Sequence, residues 1–295
     1  MRITDKVLMN TYLGDLNGNL QKMLKYDEQL SSGKAFRRPS DDPFRVSRSI
    51  DLNSSINRNE QYSRNINEAK TWLNTTDEAL GQVGESIQKL RGIVSAAANS
   101  QNSKDELLAY KSQALQIIDG MADIGNGNFN GKYIFAGLDT TNPPIKCDNT
   151  TGMITAGGND GDVNIEISPL VKIKINITGT QVFNKDFTDS MQRIVGYLSE
   201  EGHEKELSGE LENLDKAGNN VLNLRAEVGA KVNRMEFAEK KNGEETFNMT
   251  EIMSKNEDID YAEKYMEFKV AEAVYQGSLM VGAKILQPSL LDFLR

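Results

Sequence analysis

Residues 66–97 read INEAKTWLNTTDEALGQVGESIQKLRGIVSAA, and their apolar positions decide the architecture. Ile66, Ala69, Leu73, Thr76, Leu80, Val83, Ile87, Leu90, Val94 and Ala97 follow one another at alternating steps of three and four. That spacing lays one narrow stripe along a helix. A stripe sustained over so many turns predicts a long rod packed against other helices. Gly81, Gly84 and Gly92 weaken the rod by roughly 1 kcal/mol each relative to Ala, and close helix approach is the expected reason for them.

Toward the N-terminus, Asp42 caps this rod and Pro43 occupies its first position. A loop over 34–41 precedes it. Gly33 is placed to end a first helix over 7–32, in which Leu13, Leu16, Leu20, Met23, Asp27 and Leu30 again recur at steps of three and four. Toward the C-terminus the rod breaks at 99–102. Ser103 with Glu106 then forms a capping box for a third helix that carries Leu107, Tyr110, Ala114, Ile117, Met121 and Ile124.

Between Gly125 and Gly179 the texture changes to Gly, Asn, Asp and Thr. Val163, Ile165 and Ile167 alternate with polar residues, as do Val171, Ile173, Ile175 and Ile177, with turn signals at 149–152 and 159–161. This predicts a small β insert that folds as a unit of its own and whose removal spares assembly. Helix returns after Asp186, and Leu207, Leu211, Leu214, Val221, Leu224, Val228, Val232 and Met235 mark a second long rod. Lys241, Asn242 and Gly243 are expected to interrupt it, with Asn248 and Glu251 capping its resumption. A last stripe, Ile259, Ala262, Met266, Val270, Ala273, Gly277 and Met280, runs on until Pro288 ends it.

The fold class is therefore mainly α with an inserted β domain: long antiparallel helical rods from both termini and a small β-rich outer domain. Three domains are expected, at 1–42 plus 249–295, at 43–130 plus 184–248, and at 131–183. Narrow stripes at both ends of a chain call for partner helices and indicate an assembly subunit. The other reading packs both ends on the body of the same monomer.

Composition agrees with solvated rods. In 295 residues the apolar share is 38%, aromatics are 7% and charged residues 26%. A net charge of −9 argues against nucleic acid, which needs clustered Lys and Arg. The one basic stretch, Lys34, Arg37, Arg38, Arg45, Arg48, Arg58 and Arg64, is interspersed with acids. Cys147 is the single cysteine, so no intrachain disulfide is expected. No long apolar run follows Met1, so neither a secretory signal peptide nor a membrane span is expected. Taken alone, composition points to the cytoplasm.

No active site, cofactor or metal is expected. His203, the single histidine, lies in an acidic polar stretch and reads as solvated surface. Gly157 to Val163 only partly matches a calcium-binding repeat. Asp41 and Asp42 could be an acid–base pair, but helix capping accounts for Asp42.

Several motifs carry a family resemblance. Leu30-Ser31-Ser32-Gly33-Lys34, Ser40-Asp41-Asp42-Pro43 and Thr76-Asp77-Glu78-Ala79-Leu80 resemble the N-terminal signature of bacterial flagellins. Leu224 to Ala230 with Asn233-Arg234, then Glu257 to Glu263, and the ending Leu290 to Arg295 are similar to the flagellin C-terminal region. Met1-Arg2-Ile3-Thr4, Gly131 to Gly137 and Asn176 to Phe183 resemble the hook–filament junction branch of that superfamily more than its filament subunits. The main alternative is a filament-forming flagellin.

The resemblance implies an inner tube of terminal helices, rods outside them, and an exposed β domain. It implies a non-enzymatic adaptor outside the cell, exported without a cleaved signal. Implied partners are the first junction protein, flagellin, further copies in a ring, and a cytosolic export chaperone at the C-terminal helix. Residues expected at assembly interfaces are Ile3, Leu13, Leu16, Leu20 and Met23 at one end. At the other they are Ile259, Met266, Val270, Ala273, Met280, Leu290, Leu291 and Leu294.

Overall fold

The computed structural model describes residues 2–99, 102–148 and 150–285, with side chains described from residue 7 and not at 285. The chain runs α1 (Arg2–Ser32), α2 (Pro43–Ala97), α3 (Lys104–Gly125), β1 (Asn128–Phe129), β2 (Lys132–Tyr133), β3 (Ile145–Asp148) and β4 (Met153–Ala156). It continues through β5 (Asn164–Ser168), β6 (Val171–Lys174), α4 (Gly179–Val182), α5 (Lys185–Tyr197), α6 (Glu204–Glu257) and α7 (Tyr261–Ile285). This is the mainly helical chain with a β insert that the residue pattern implies.

The helix boundaries follow local chemistry. Asp42 Oδ1 accepts the Arg45 backbone N–H at 3.0 Å, so the cap is made by the side chain next to Pro43. Ser103 and Glu106 form the reciprocal box, with the Ser103 N–H 2.8 Å from Glu106 Oε2. The expected break at 241–243 is absent and α6 runs straight through it. One glycine costs a helix about 1 kcal/mol, and the side chain of Asn242 is engaged elsewhere: its Nδ2 donates to the Asn59 carbonyl at 2.8 Å. Gly81 and Gly84 also differ from expectation. A methyl on either would lie 3.7 Å from the nearest side chain, and one on Gly92 would meet nothing within 4 Å, so close approach is not what requires them.

The chain divides into two compact units, Met1–Arg58 with Thr246–Arg295, and Asn59–Glu245. In the second, the stripe of residues 66–97 is buried against Leu207, Leu214, Val221, Val228 and Met235 of α6. Ion pairs flank this seam: Arg225 with Asp77 at 2.9 Å and Arg91 with Asp215 at 2.7 Å.

The strands form three antiparallel hairpins, β1 with β2, β3 with β4 and β5 with β6. Ile145 faces Ala156, and Ile165 faces Ile173. Ile134, Phe135, Ile145, Ile154, Ile167, Ile173 and Ile177 belong to the same hydrophobic cluster as Leu73, Ile118, Met121, Phe187 and Met191. The insert therefore does not pack as a unit apart. A two-stranded hairpin has no interior of its own, so its apolar face is covered by neighbouring helices.

One buried acid stabilises this unit. Glu210 accepts from Ser190 Oγ at 2.6 Å, Arg193 Nε at 2.6 Å and Asn213 Nδ2 at 2.8 Å. Burial pushes its carboxyl up, but Arg193, Ser190 and Asn213 outweigh that and hold it below the ordinary range. A depressed folded value contributes stability above the unfolded pKa of about 4.3, lost as pH falls through the folded value. Glu210→Ala is expected to lower stability by about 1–3 kcal/mol near neutrality. It should also make acid unfolding less steep, as read by thermal melts between about pH 7 and about pH 3.

Candidate assembly surface

The terminal unit contains the ends of the chain and is built around α1 and α7. Their connections are laced together just beyond the helix ends. Gly33 ends α1 with φ of 72°, and its carbonyl accepts the Ile259 N–H at 3.2 Å. Lys34 pairs with Asp258 in an antiparallel bridge, and its Nζ lies 2.7 Å from Asp258 and 3.0 Å from Glu257. Those carboxylates raise the Lys34 ammonium, and Lys34 with Ser254 lowers Asp258. The positive φ at Gly33 is the conformation that favours glycine, and a Cβ there would also push the exposed Tyr261 hydroxyl, 2.8 Å away, aside.

From this knot α1 and α7 run antiparallel along a mixed seam of leucines, aromatics and small polar residues. On α7 the half-buried positions include Lys264, Phe268, Ala271, Tyr275 and Ser278, with Glu267, Glu272 and Gly277 beside them, ending at buried Gly282. On α1 they include Tyr12, Leu16, Asn19, Met23, Tyr26 and Leu30, with Gly18, Leu20 and Gln29 beside them. Tyr12 Oη donates to the Ser278 carbonyl at 2.8 Å, Asn19 Nδ2 donates to Ser278 Oγ at 3.1 Å, and Lys264 sits 5.7 Å from the Tyr26 ring centre. A methyl at Gly282 would run into the Tyr12 ring. This second heptad series, displaced from the aliphatic one, is what the aliphatic pattern conceals. The spacing of Ala271, Tyr275, Ser278 and Gly282 is the signal for it.

The aliphatic stripe of α7 is left outside that seam. Met266 is 62%, Val270 63% and Met280 68% exposed, and Ala273 and Val274 are exposed too. On α1, Leu13 is exposed, while Leu16, Leu20 and Met23 are half-buried. Ile259 is half-buried in the connection before α7 rather than on the helix. Ile3 lies on α1 with its side chain outside the description, and Leu290, Leu291 and Leu294 lie outside the described residues. A groove of about 430 Å³ runs beside the stripe, with Met266, Val270 and Val274 on one wall and Asn19, Lys22 and Tyr26 on the other. The α1–α7 hairpin thus uses one face of α7 and presents another.

Asp41 and Asp42 are both engaged by backbone N–H groups. Asp41 Oδ2 accepts the backbone N–H groups of Arg37 and Arg38 and so closes the turn before α2, while Asp42 caps the helix itself. The His203 ring lies 5.2 Å from that of Tyr197, at a half-exposed position. Among the described residues no group of three or more His, Cys, Asp or Glu could hold a metal ion. No helix among them is long and apolar enough to cross a membrane.

Comparison with known proteins accounts for this architecture. Residues 3–140 match the bacterial flagellin N-terminal helical region and residues 211–294 the bacterial flagellin C-terminal helical region. Flagellar hook-associated protein 3 of Salmonella typhimurium is 25% identical, over 94% of this chain and 95% of its own. A flagellin of Bacillus subtilis is 25% identical, over 94% of each chain. The crystal structure of flagellar hook associated protein-3 from Legionella pneumophila shares the fold at a TM-score of 0.62 and 15% identity, covering 69% of this chain and 97% of that one. With both terminal helical regions matched in order, and with paired terminal helices flanking a β insert, the chain belongs to the bacterial flagellin family.

Proposed function

We propose that this protein is a structural adaptor of the bacterial flagellum, joining the hook, through the first junction protein, to the flagellin filament. The observation that carries the reading is the α7 stripe. Met266, Val270 and Met280 stay exposed while α7 spends a different face on α1. A soluble chain gains nothing from such a face, and neighbouring copies or partner helices gain apolar burial from it. Hook-associated protein 3 of Salmonella typhimurium and of Escherichia coli both align over 94% of this chain, which fits the junction reading, and the Bacillus subtilis flagellin aligns equally far, so coverage does not separate the two.

In this reading residues 1–42 with 249–295 form an inner tube, residues 43–130 with 184–248 the rods around it, and residues 131–183 the outer surface. The copies form one ring outside the cell, the chain performs no catalysis, and an export chaperone covers the C-terminal helix beforehand. The competing reading is a flagellin, supported by the Bacillus subtilis relative.

Filament seeds separate the two. The purified chain is expected to remain unpolymerised when added to seeds, and to restore filaments on hooks in cells that lack it. Elongation of the seeds by the chain alone would overturn the adaptor reading in favour of flagellin.

A further inference from the structure

Within residues 59–245 the seam between α2 and α6 changes character near one end. From Ile66 onward the α2 stripe is fully buried and almost wholly aliphatic. Two turns earlier on α2 the buried residue is Asn59, and the α6 residue that meets it is buried Asn242. One bond joins them, from Asn242 Nδ2 to the Asn59 carbonyl at 2.8 Å. The other half of each carboxamide is orphaned: Asn59 Nδ2 and Asn242 Oδ1 are buried without a hydrogen-bond partner. A buried donor or acceptor left unpaired forfeits the bond that water would give it, and a half-satisfied pair is worse than an apolar one. Two more such atoms lie on these helices, Trp72 Nε1 and Lys231 Nζ, but other contacts hold those side chains. Trp72 packs edge-on against Phe129 at 6.0 Å, and Lys231 lies 2.7 Å from Glu227.

The surroundings of the asparagine layer favour opening. Gly243 follows Asn242, and a methyl there would meet nothing within 4 Å, so α6 carries a poor helix former at this layer with no packing in return. A pocket of about 190 Å³ beside the β5–β6 hairpin, lined by Tyr62, Val171, Phe237 and Lys241, reaches both asparagines. On the rod side the structure is tied down. Asn65 Nδ2 donates to the Glu166 carbonyl at 2.8 Å, and Lys70 Nζ lies 3.2 Å from Glu239.

We propose that the Asn59–Asn242 layer is a built-in weak point at which α2 and α6 open locally in the native chain, while the aliphatic rod beyond Ile66 stays shut. Opening admits water to the orphaned donor and acceptor, so parting the helices costs less here than at Leu73 or Val83, where it only exposes apolar surface. Helices of 55 and 54 residues thereby gain a point of give. The inference concerns the chain by itself and stands apart from the adaptor reading.

Hydrogen exchange of the full chain tests it. Amides of residues 56–63 and 239–245 are expected to exchange at least about tenfold faster than those of 73–90 and 214–228. Asn59→Leu with Asn242→Leu removes both orphans. It should slow exchange in the two fast segments at least about tenfold, a change of about 1.4 kcal/mol, and leave 73–90 unchanged. Asn59→Asp should act in the opposite sense near neutrality, because the closed layer would then bury a charge. Uniform protection along α2 and α6 in the wild type would overturn the proposal whatever the variants do. So would a folded double-leucine chain that exchanges as fast as the wild type over 56–63, since fraying from the helix ends would then set the rate. If the double-leucine chain does not fold, unchanged exchange over 56–63 in Asn59→Asp would overturn it.

Discussion

Excision of residues 131–183, with a short linker closing the gap, should abolish the cooperative unfolding of residues 59–245. The insert contributes Phe135, Ile145, Ile154, Ile167, Ile173 and Ile177 to the common core, and its loss uncovers Ile118, Phe187, Met191 and Val195 on α3 and α5. Each newly exposed side chain of this size costs about 1.5–3 kcal/mol. The four together, about 6–12 kcal/mol, are comparable with the roughly 5–15 kcal/mol by which a domain is stable. Calorimetry of the excised chain should lack the main transition, and hydrogen exchange should show α3 and α5 unprotected. A main transition at the wild-type temperature would show that the helices hold their own core without the hairpins.

The second large effect concerns assembly and leaves folding alone. Met266→Glu, Val270→Glu and Met280→Glu together place three carboxylates on a face that is already solvated. Substitutions at such sites change stability by no more than about 0.5 kcal/mol each, so the melting profile should match the wild type. A carboxylate buried unpaired in a helix–helix contact costs several kcal/mol. Filament attachment should therefore be lost, and capture by the proposed chaperone with it. Electron microscopy of hooks and calorimetric titration with the chaperone give the two readings. Filaments at wild-type frequency would show that this stripe is not an assembly surface.

Much of the fold was legible because long helices are written in simple periods. Ile66 to Ala97 announce a rod, Asp42 and Pro43 its start, Ser103 and Glu106 a cap, and the motifs at both ends the family. What pattern alone misjudged has a common physical cause, since periodicity reports faces and not their occupants. Gly243 looked like a break, yet a single glycine is too small a penalty to stop a packed helix. The alternating isoleucines of the insert marked an apolar face correctly, but that pattern does not say that the surface covering it comes from α3 and α5, the helices flanking the insert. The candidate surface shows the same limit. Its aliphatic stripe was readable, whereas the seam through Tyr12, Asn19, Ser278 and Gly282 uses hydrogen bonds and a missing methyl, which carry little hydrophobic signal.

That seam bears on temperature. Among the described side chains of α1 and α7 no apolar one is fully buried; Gly282 alone reaches that state. Heat capacity tracks apolar area exposed, at about 0.45 cal/K/mol per Å². Melting the α1–α7 pair in the free chain should then carry a smaller heat-capacity step per residue than melting residues 59–245, whose core is fully buried. Closing the outward stripes against other helices, by contrast, carries a large negative heat-capacity change. A contact of that kind loosens as the temperature drops, so cold should weaken the proposed contacts of these stripes.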